Sequence, residues 1–285
     1  MAKAKQPESM RAALAFANTD RVLADIATDA HPLVPARKDG KLVGRLKTDA
    51  KAISDMQEKL WAEATAGGRR SVLLLLQGID TAGKGGTINH VIGACSPIGV
   101  QYTAFKQPTR EELRHDFLWR IRKHVPPSGV VAIFDRSHYE DVLVARVHEL
   151  ASPAEIESRY HAINDFEQEL VGRGTTVLKV FLHISKETQR KRLLRRLDRP
   201  DKHWKFSAGD LAERARWDDY QEAFQLMLQR CDTEMAPWFV VPSDSKPYRN
   251  WAVGELLGET LGLLDPHYPD TSLDIPALKA RLNNE

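Results

Sequence analysis

One segment, residues 71–87, restricts the fold of this chain more than any other. It reads SVLLLLQGIDTAGKGGT: an apolar run stops at Gly78, and a Gly83-Lys84 pair follows five residues later. A helical pattern begins directly after the pair. This order of buried strand, glycine-rich loop and helix is that of a P-loop, which binds phosphate through backbone N–H groups and one lysine at the positive end of a helix. The segment therefore predicts a phosphate-binding site.

Strand and helix patterns alternate along the rest of the chain. Strands are predicted over 100–105, 130–134, 176–184 and 238–241, in addition to the one that begins at Ser71. Strands that are nearly continuous in apolar residues are buried on both faces, which is typical of a parallel sheet covered by helices. The pattern predicts an α/β fold with three layers, a parallel five-stranded sheet flanked by helices.

Helical spacing of apolar residues predicts the helices that cover this sheet. One helix is expected to begin at Thr48 or Asp49, and a second is expected over 111–124, ended by a Pro-Pro pair. Ser152-Pro-Ala-Glu155 has the form of a capping box with proline at the first helical position, so a third helix is expected there.

Composition narrows the class of protein. The 285 residues are 42% apolar and 28% charged, with a net charge of +2, so no overall positive field indicates a nucleic-acid partner. The two cysteines, Cys95 and Cys231, form no C-x-x-C pair, which favours a reducing compartment over a disulfide framework or zinc site. The N-terminus has no apolar core of the signal-peptide type, and no apolar run reaches membrane-spanning length. We therefore expect no membrane partner and a cytoplasmic location.

The phosphate loop departs from the common P-loop at one position. The Ser or Thr that normally follows the lysine, and supplies a hydroxyl to magnesium, is replaced by Gly85, and Thr87 lies two residues further into the helix. Asp80 adds a carboxylate inside the loop. It is either close to a metal or a turn-forming residue, and spacing alone leaves both open. The glycines that let the backbone approach an anion are Gly83, Gly85 and Gly86.

A second candidate element, Asp135-Arg136, follows the strand over 130–134. A carboxylate at the end of a buried strand is the usual second half of a P-loop site and holds the metal directly or through water. Ligands of open α/β sheets bind at the carboxyl ends of the strands, so Asp135 is expected beside the loop with Arg136 facing the transferred phosphate. The alternative is an N-cap aspartate with a surface arginine. At the same edge, Lys106 and Arg110 are either phosphate ligands or loop charges.

A third element is strongly basic. Residues 186–205 contain nine Lys or Arg and three acids, in a chain that is almost neutral elsewhere. Next to a phosphate site, such a segment favours a mobile lid that closes over a polyanion. The alternative is a solvated charged helix. The phosphate ligands expected from it are Arg195, Arg196, Arg199, Lys202 and Lys205.

Four motifs together resemble one family. G-x-D-x-x-G-K-G, F-K-Q-P-T, F-D-R-S-H-Y-E-D-V-L and K-H-W-K-F-S occur in this order and resemble the family-2 polyphosphate kinases over residues 45–265. The resemblance implies a P-loop kinase fold with a basic helical lid. It implies phosphoryl transfer between inorganic polyphosphate and nucleotides, with Mg²⁺, or Mn²⁺ as the alternative. It also implies that Asp80 and Asp135 position the metal, and that Lys84, Arg136 and the basic residues of the lid bind phosphate.

The resemblance carries finer expectations. Tyr139-Glu140-Asp141 is similar to the subgroup that accepts both AMP and ADP, whereas other subgroups tend to carry Asn at the Glu140 position. Arg199 departs from the family, which often has an acidic residue or Asn there, and makes the lid more basic. The resemblance implies adenine nucleotides as substrates, with guanine as a second base. It also implies a homo-oligomer, either a dimer or a tetramer. The expected organisation is an N-terminal extension 1–45, a P-loop kinase domain 46–265 with its lid at 186–215, and a tail 266–285.

The expected chemistry also bears on the role of Asp80. A nucleotide phosphate is already anionic near neutral pH, with a second pKa near ~6, so it needs no strong general base. Positioning a metal is therefore the favoured role for Asp80, in an in-line transfer that depends on alignment and charge neutralisation.

Two other functions compete with polyphosphate kinase. The first is an ATP-using nucleotide kinase of the thymidylate kinase type, which Gly85 and the long lid disfavour. The second is a non-catalytic sensor of nucleotide or polyphosphate. The two carboxylates at the phosphate edge disfavour it, because anion binding gains nothing from carboxylates without a metal.

Overall fold

The computed structural model describes residues 8–17, 20–34 and 39–284. Its sheet has five strands in the order β2-β3-β1-β4-β5, and every neighbouring pair is parallel. The predicted five-stranded parallel sheet is confirmed. The strands are β1 Ser71–Gln77, β2 Val100–Ala104, β3 Val131–Asp135, β4 Thr175–His183 and β5 Trp238–Pro242.

Helices follow the strands and cover the sheet. Short 3-10 turns lie at Leu23–Asp25, Glu112–Arg114 and Pro200–Lys205. The helices are α1 Met10–Leu14, α2 Asp39–Thr65, α3 Lys84–Ile92, α4 Trp119–Arg122, α5 Glu140–Val147, α6 Pro153–Gly172, α7 Lys186–Leu197, α8 Gly209–Ala215, α9 Trp217–Cys231, α10 Lys246–Leu264 and α11 Ile275–Asn283.

The central strand β1 carries the phosphate loop at its carboxyl end. All seven of its residues are buried, because β3 and β4 flank it and helices cover both faces. One layer contains α2, α3 and α10, and the other contains α5, α6 and α9. The apolar run of β1 therefore fixes the origin of the loop in the buried centre of the sheet.

Two helix predictions need correction. The helix expected to begin at Thr48 or Asp49 begins at Asp39. The single helix expected over 111–124 is interrupted between its 3-10 turn and α4. There the Asp116 carboxylate accepts a hydrogen bond from the Leu118 backbone N–H at 2.9 Å, so the side chain replaces a helical carbonyl. The capping box at Ser152 is confirmed, because the Ser152 side chain accepts from Glu155 N–H at 3.2 Å.

The two ends of the described chain differ in their packing. Near the N-terminus, Met10, Leu14 and Phe16 are buried, and Phe16 N–H donates to the Trp238 carbonyl of β5 at 2.8 Å. Every residue from 267 to 284 is exposed. The helix α2 crosses the expected boundary at residue 45, and residues 1–7, 18–19 and 35–38 of the expected extension lie outside the described residues. The division into 1–45, 46–265 and 266–285 stays a prediction.

Within the described ranges, we find no helix that combines the length and the apolar character needed to span a membrane.

We expect the two ends to respond differently to truncation. Removal of residues 267–285 should leave the free energy of unfolding nearly unchanged. Removal of residues 1–23 should lower it by several kcal/mol, because Met10, Leu14, Phe16 and Leu23 are at most 3% exposed and each contributes about 1.5–3 kcal/mol. Denaturant titration of both truncated chains measures the difference, and equal losses would contradict it.

Candidate active site

The phosphate loop joins β1 to α3 at the carboxyl edge of the sheet. Gly83 caps α3 with a left-handed backbone, φ 109°, and Lys84 is the first residue of the helix. The Lys84 ammonium donates to the Gly78 carbonyl at 2.6 Å, across the loop. This geometry leaves the first N–H groups of α3 and the lysine facing the same space, as a phosphate site requires.

Two arginines from distant parts of the chain donate hydrogen bonds to backbone carbonyls of the loop. Arg192 of α7 donates to the carbonyls of Thr81 and Ala82, both at 2.9 Å, and Arg249 of α10 donates to the Ala82 carbonyl at 3.2 Å. A Cβ atom at Gly83 would overlap the Arg249 guanidinium. Glycine at this position therefore permits both the left-handed backbone and the close approach of the arginine.

Asp135 is the last residue of β3, where the sheet register pairs it with Leu76 of β1. This register places the Asp135 carboxylate beside the phosphate loop. The next residue, Arg136, has φ 65°, and its backbone N–H donates to the Leu76 carbonyl at 3.1 Å. A left-handed arginine is uncommon and costs about 1–3 kcal/mol unless neighbouring contacts enforce it. The turn directs Arg136 towards the loop.

Loop, turn and lid enclose one cavity of about 630 Å³. Ten lining residues are Lys or Arg and two are Asp, so the cavity carries a large excess of positive charge. The predicted site residues that line it are Asp80, Gly83, Lys84, Gly85, Gly86, Asp135, Arg136, Arg195, Arg196, Arg199, Lys202 and Lys205. The lining residues that the sequence prediction did not include are Thr81, Asn89, Arg192, Lys246 and Arg249.

Four other predicted residues do not line this cavity. The Thr87 side chain is fully buried and its hydroxyl donates to Asn250 Oδ1 at 3.3 Å, so it faces α10 and not the cavity. Lys106 and Arg110 are exposed beyond β2. Glu140 lies behind Arg136, with a 3.7 Å ion pair between the two side chains. Their expected roles in phosphate or nucleotide binding stay predictions.

Burial and neighbouring charges have opposing effects on the pKa values of Lys84 and Glu140. Burial lowers the pKa of Lys84, and the Arg136 charge lowers it further, while Asp135, Glu140 and Asp80 oppose the shift. Burial raises the pKa of Glu140 even though Arg136 and Lys84 favour its ionised form. The charged forms of Lys84 and Glu140 are therefore stabilised by neighbouring charges rather than by water.

A second group of cations in the cavity lies around the start of α10. Burial and the charges of Arg195, Arg192 and Arg249 together lower the pKa of Lys246. Burial, with repulsion from Arg192, lowers the pKa of Arg249 to about 10. A polyanion in the cavity would remove this repulsion, which makes the wall a strong anion site.

The lid and the phosphate loop are joined through Asp80. Arg196 of α7 donates to Asp80 Oδ2 at 3.1 Å and lies 3.6 Å from Asp210 Oδ2. Among the described residues, no group of three or more His, Cys, Asp or Glu side chains is arranged to hold a metal ion. The cavity does offer Asp80 and Asp135, and Mg²⁺ is commonly bound through one or two carboxylates with phosphates supplying further ligands. The donor set fits that mode.

A second cavity of about 450 Å³ lies on the β2–β3 side of the sheet. Arg120 and Asp141 form an ion pair at 3.5 Å on its wall, and Arg159 donates to the Asp141 carbonyl at 2.7 Å. Phe117 and His115 add ring surface. This cavity combines polar groups with ring surface, whereas most residues that line the first cavity are Lys or Arg. It is suited to a ligand with a flat apolar part.

Lys246 and Arg249 were missed because they lie far from the loop in sequence. They belong to the first turn of α10, which Ser245 caps directly after β5. Helix N-termini favour acidic residues, so two cations at this position are a signal of an anion nearby. Their place after the last strand also puts them at the edge where ligands bind.

Comparison with known proteins assigns the family. Residues 41–265 match the family model described as Polyphosphate kinase 2. The chain belongs to the polyphosphate kinase 2 family. Membership makes it a polyphosphate phosphotransferase, and it favours that function over a thymidylate-kinase-type enzyme or a non-catalytic sensor.

Individual members of this family are similar to the chain over most of its length. The chain is 48% identical to the AMP/ADP-polyphosphate phosphotransferase of Meiothermus ruber over 76% of its own length and 80% of the relative's. It is 41% identical to the ADP-polyphosphate phosphotransferase of Rhodopseudomonas palustris, covering 80% and 81% of the two chains. The crystal structure of Polyphosphate Kinase 2 from Arthrobacter aurescens TC1 superimposes with a TM-score of 0.95 at 47% identity, over 100% of both chains. These matches confirm the predicted P-loop kinase fold of the chain.

Two glycines of the loop provide a matched pair of variants. Gly83→Ala should lower the free energy of unfolding by about 1–3 kcal/mol, because alanine is strained at the left-handed backbone of residue 83. It should also weaken polyphosphate binding, because the added methyl group would displace the Arg249 guanidinium. Gly85→Ala should change stability by less than about 1 kcal/mol, because nothing lies within 4 Å of its Cβ position in α3. Denaturant titration and calorimetric binding measure both effects. Similar behaviour of the two variants would contradict the assignment of Arg249 as the constraint.

Proposed function

We propose that this enzyme transfers phosphoryl groups between inorganic polyphosphate and AMP or ADP, forming ADP or ATP. The observation that carries the proposal is the first cavity, in which ten cations and two carboxylates adjoin the phosphate loop. The cations come from the loop, the Arg136 turn, the lid and α10. A long polyanion of uniform repeating charge can engage such a surface without a fixed register.

The second cavity supports a nucleotide as the other substrate. The two cavities lie on opposite sides of the loop, the first towards β4 and β5 and the second towards β2. Glu140 and Asp141 connect them, because Glu140 contacts Arg136 and Asp141 lines the second cavity. We infer that the base and ribose occupy the second cavity, with the acceptor phosphate directed at Arg136.

The names of the relatives guide the choice of acceptor. The Meiothermus ruber protein is named for AMP and ADP, and the Rhodopseudomonas palustris protein is named for ADP. Together with Glu140, these names support adenine nucleotides at both phosphorylation levels as acceptors. Guanine nucleotides are the second choice of base.

The residues of the chain then have distinct parts in an in-line transfer. Lys84 and the N–H groups of α3 bind the transferring phosphate, and Arg136 orients it between donor and acceptor. Lid residues hold the rest of the polyphosphate chain. The acceptor phosphate is anionic near neutral pH, so no side chain has to remove a proton from it.

We propose Mg²⁺, with Mn²⁺ as the alternative, as the cofactor held by Asp80 and Asp135. Bound there, the metal supplies neutralisation of phosphate charge, a role that Gly85 cannot share through a hydroxyl. Arg196 donates to Oδ2 of Asp80 at 3.1 Å, so this arginine would compete with a cation for that oxygen.

The setting of the enzyme is part of the proposal. Cys95 and Cys231 are both free thiols, which supports a reducing, cytoplasmic compartment. The family resemblance supports a homo-oligomer, a dimer or a tetramer.

A single assay tests the proposed reaction. Purified protein is incubated with polyphosphate, Mg²⁺ and either AMP or ADP, without ATP, and the products are separated by chromatography. We expect ADP and ATP from AMP, and ATP from ADP. Product that forms only when ATP replaces polyphosphate would support an ordinary nucleotide kinase. Nucleotide binding without product under any condition would support a sensor.

Asp135→Asn should abolish transfer, by about 10³-fold or more in kcat, because the amide removes one of two charges that position the metal. The fold should survive, because the two side chains are similar in size. Asp165→Asn, on the exposed face of α6, makes the same chemical change away from both cavities and should retain full activity. Near-normal turnover of Asp135→Asn would refute the metal role.

Lys246→Gln should raise KM for polyphosphate about tenfold with little change in kcat, because one charged hydrogen bond contributes about 1.5 kcal/mol. The dependence of affinity on salt should also become shallower, by about one unit in the log–log slope. Lys191→Gln is the matched control, since Lys191 lies on α7 but does not line the cavity. Equal effects of the two variants would mean that only overall charge matters.

A further inference from the structure

A buried ionic network lies beneath the turn that carries Arg136. Its members are Glu167 of α6, Lys179 of β4, and His138 and Tyr139 of the turn, and each is at most 1% exposed. Glu167 Oε2 accepts from Lys179 Nζ at 2.6 Å, and Glu167 Oε1 accepts from the Tyr139 hydroxyl at 2.7 Å. His138 Nε2 lies 3.3 Å from Glu167 Oε1. None of these four residues lines either cavity.

The buried charges of Lys179 and Glu167 are hydrogen-bonded within the network. Lys179 Nζ donates to Glu167, to the Tyr139 hydroxyl at 3.1 Å and to the Cys231 carbonyl at 2.5 Å, so all three of its protons have acceptors. Lys179, with His138, lowers the pKa of Glu167 against the effect of burial, which keeps the carboxylate ionised. A buried ion pair with complete hydrogen bonding has one well-defined geometry, and loss of a partner leaves a charge without compensation.

The turn above this network needs an external constraint. Arg136 has φ 65°, a backbone conformation that an arginine rarely adopts without support. On its amino side, Arg136 N–H is bonded to the Leu76 carbonyl at 3.1 Å. On its carboxyl side, Ser137 Oγ lies 3.1 Å from the Gln77 side-chain amide, and then His138 and Tyr139 enter the network.

We propose that Tyr139 and Glu167 are positioning residues for phosphoryl transfer. They fix the turn through the buried network, so that Arg136 on one side and Glu140 on the other are held in place. Tyr139 is the link, because its hydroxyl donates to Glu167 and accepts from Lys179, while its backbone joins the turn to α5. This inference rests on the proposed function, because it assigns Arg136 to the transferring phosphate.

Tyr139→Phe is the direct test, because it removes the hydroxyl and keeps the ring that packs on Trp238. We expect kcat to fall about 10–100-fold, since a displacement of about 1 Å at a reacting group costs up to about 10²-fold. KM for polyphosphate should change less than about twofold, because nine of the ten cations that line the first cavity lie outside this turn. A purely structural role predicts a lower melting temperature with kcat per folded molecule unchanged.

Tyr160→Phe is the matched control. Tyr160 lies on α6, the helix that carries Glu167; it is 3% exposed, and its buried hydroxyl has no hydrogen-bond partner in the described structure. Its loss should leave kcat and KM unchanged. If both variants lower kcat equally, the effect comes from general packing and the inference is wrong.

A double-mutant cycle decides whether Tyr139 acts through Arg136. Tyr139→Phe is measured in the wild-type enzyme and in Arg136→Lys, which keeps a cation at reduced activity. A positioning role predicts a much smaller loss of kcat in the Arg136→Lys background. If Tyr139→Phe lowers kcat by the same factor in both backgrounds, Tyr139 acts independently of Arg136 and the proposal is overturned.

Hydrogen exchange provides a readout that needs no substrate. Exchange of the Arg136 backbone N–H should accelerate at least about tenfold in Tyr139→Phe and remain unchanged in Tyr160→Phe. Unchanged exchange in both variants would refute the positioning role even if polyphosphate transfer is confirmed. Conversely, failure of the wild-type enzyme to use polyphosphate would reject the proposed function, while exchange still reports on the turn.

Discussion

The active site depends on how the protein holds many positive charges together around one loop. Repulsion among the ten cations is opposed by few carboxylates, so other groups must keep the arginines in place. Backbone carbonyls do this: Arg192 donates to Thr81, Ala82, Ser243 and Asp244, and Arg249 donates to Ala82. A carbonyl orients a guanidinium without cancelling its charge. The cavity therefore stays strongly positive while its walls stay ordered, which is the combination that binding of a long polyanion requires.

The arrangement also separates the two halves of the reaction in space. In the proposed function, cations from the β4 and β5 connections bind polyphosphate on one side of the phosphate loop, and the polar and ring surface near β2 binds the nucleotide on the other. Asp135 and Arg136 stand between them because β3 lies next to β1 in the sheet. Strand order therefore puts the proposed position of the transferring phosphate between a strongly cationic surface and one with polar groups and ring surface.

Much of this could be predicted from the sequence, for identifiable reasons. The loop after β1 and the carboxylate at Asp135 follow from buried apolar strands that end in polar residues, a signal that is local and strong. Lys246 and Arg249 reach the same cavity only through tertiary packing of α10, so local patterns did not reveal them. The break between residues 111 and 124 depends on one Asp116 side chain that competes with the helix, which apolar spacing does not register. The direction of the Thr87 hydroxyl likewise depends on Asn250, 163 residues away.

The four carbonyls bound by Arg192 also determine which part of the lid is free to rearrange. They tie the middle of α7 both to the phosphate loop and to the segment after β5, and Gln189 adds a 3.3 Å bond to the Asp80 carbonyl. Rotation of the whole lid as a rigid body would break all of these bonds at once. In the proposed lid, these bonds favour a hinge beyond Arg192, in the stretch around the 3-10 turn Pro200–Lys205. There, the described side chains are mostly exposed and bonded only to near neighbours in sequence. In the proposed function, a polyphosphate chain would thus enter past the short stretch around this turn rather than past a moving domain.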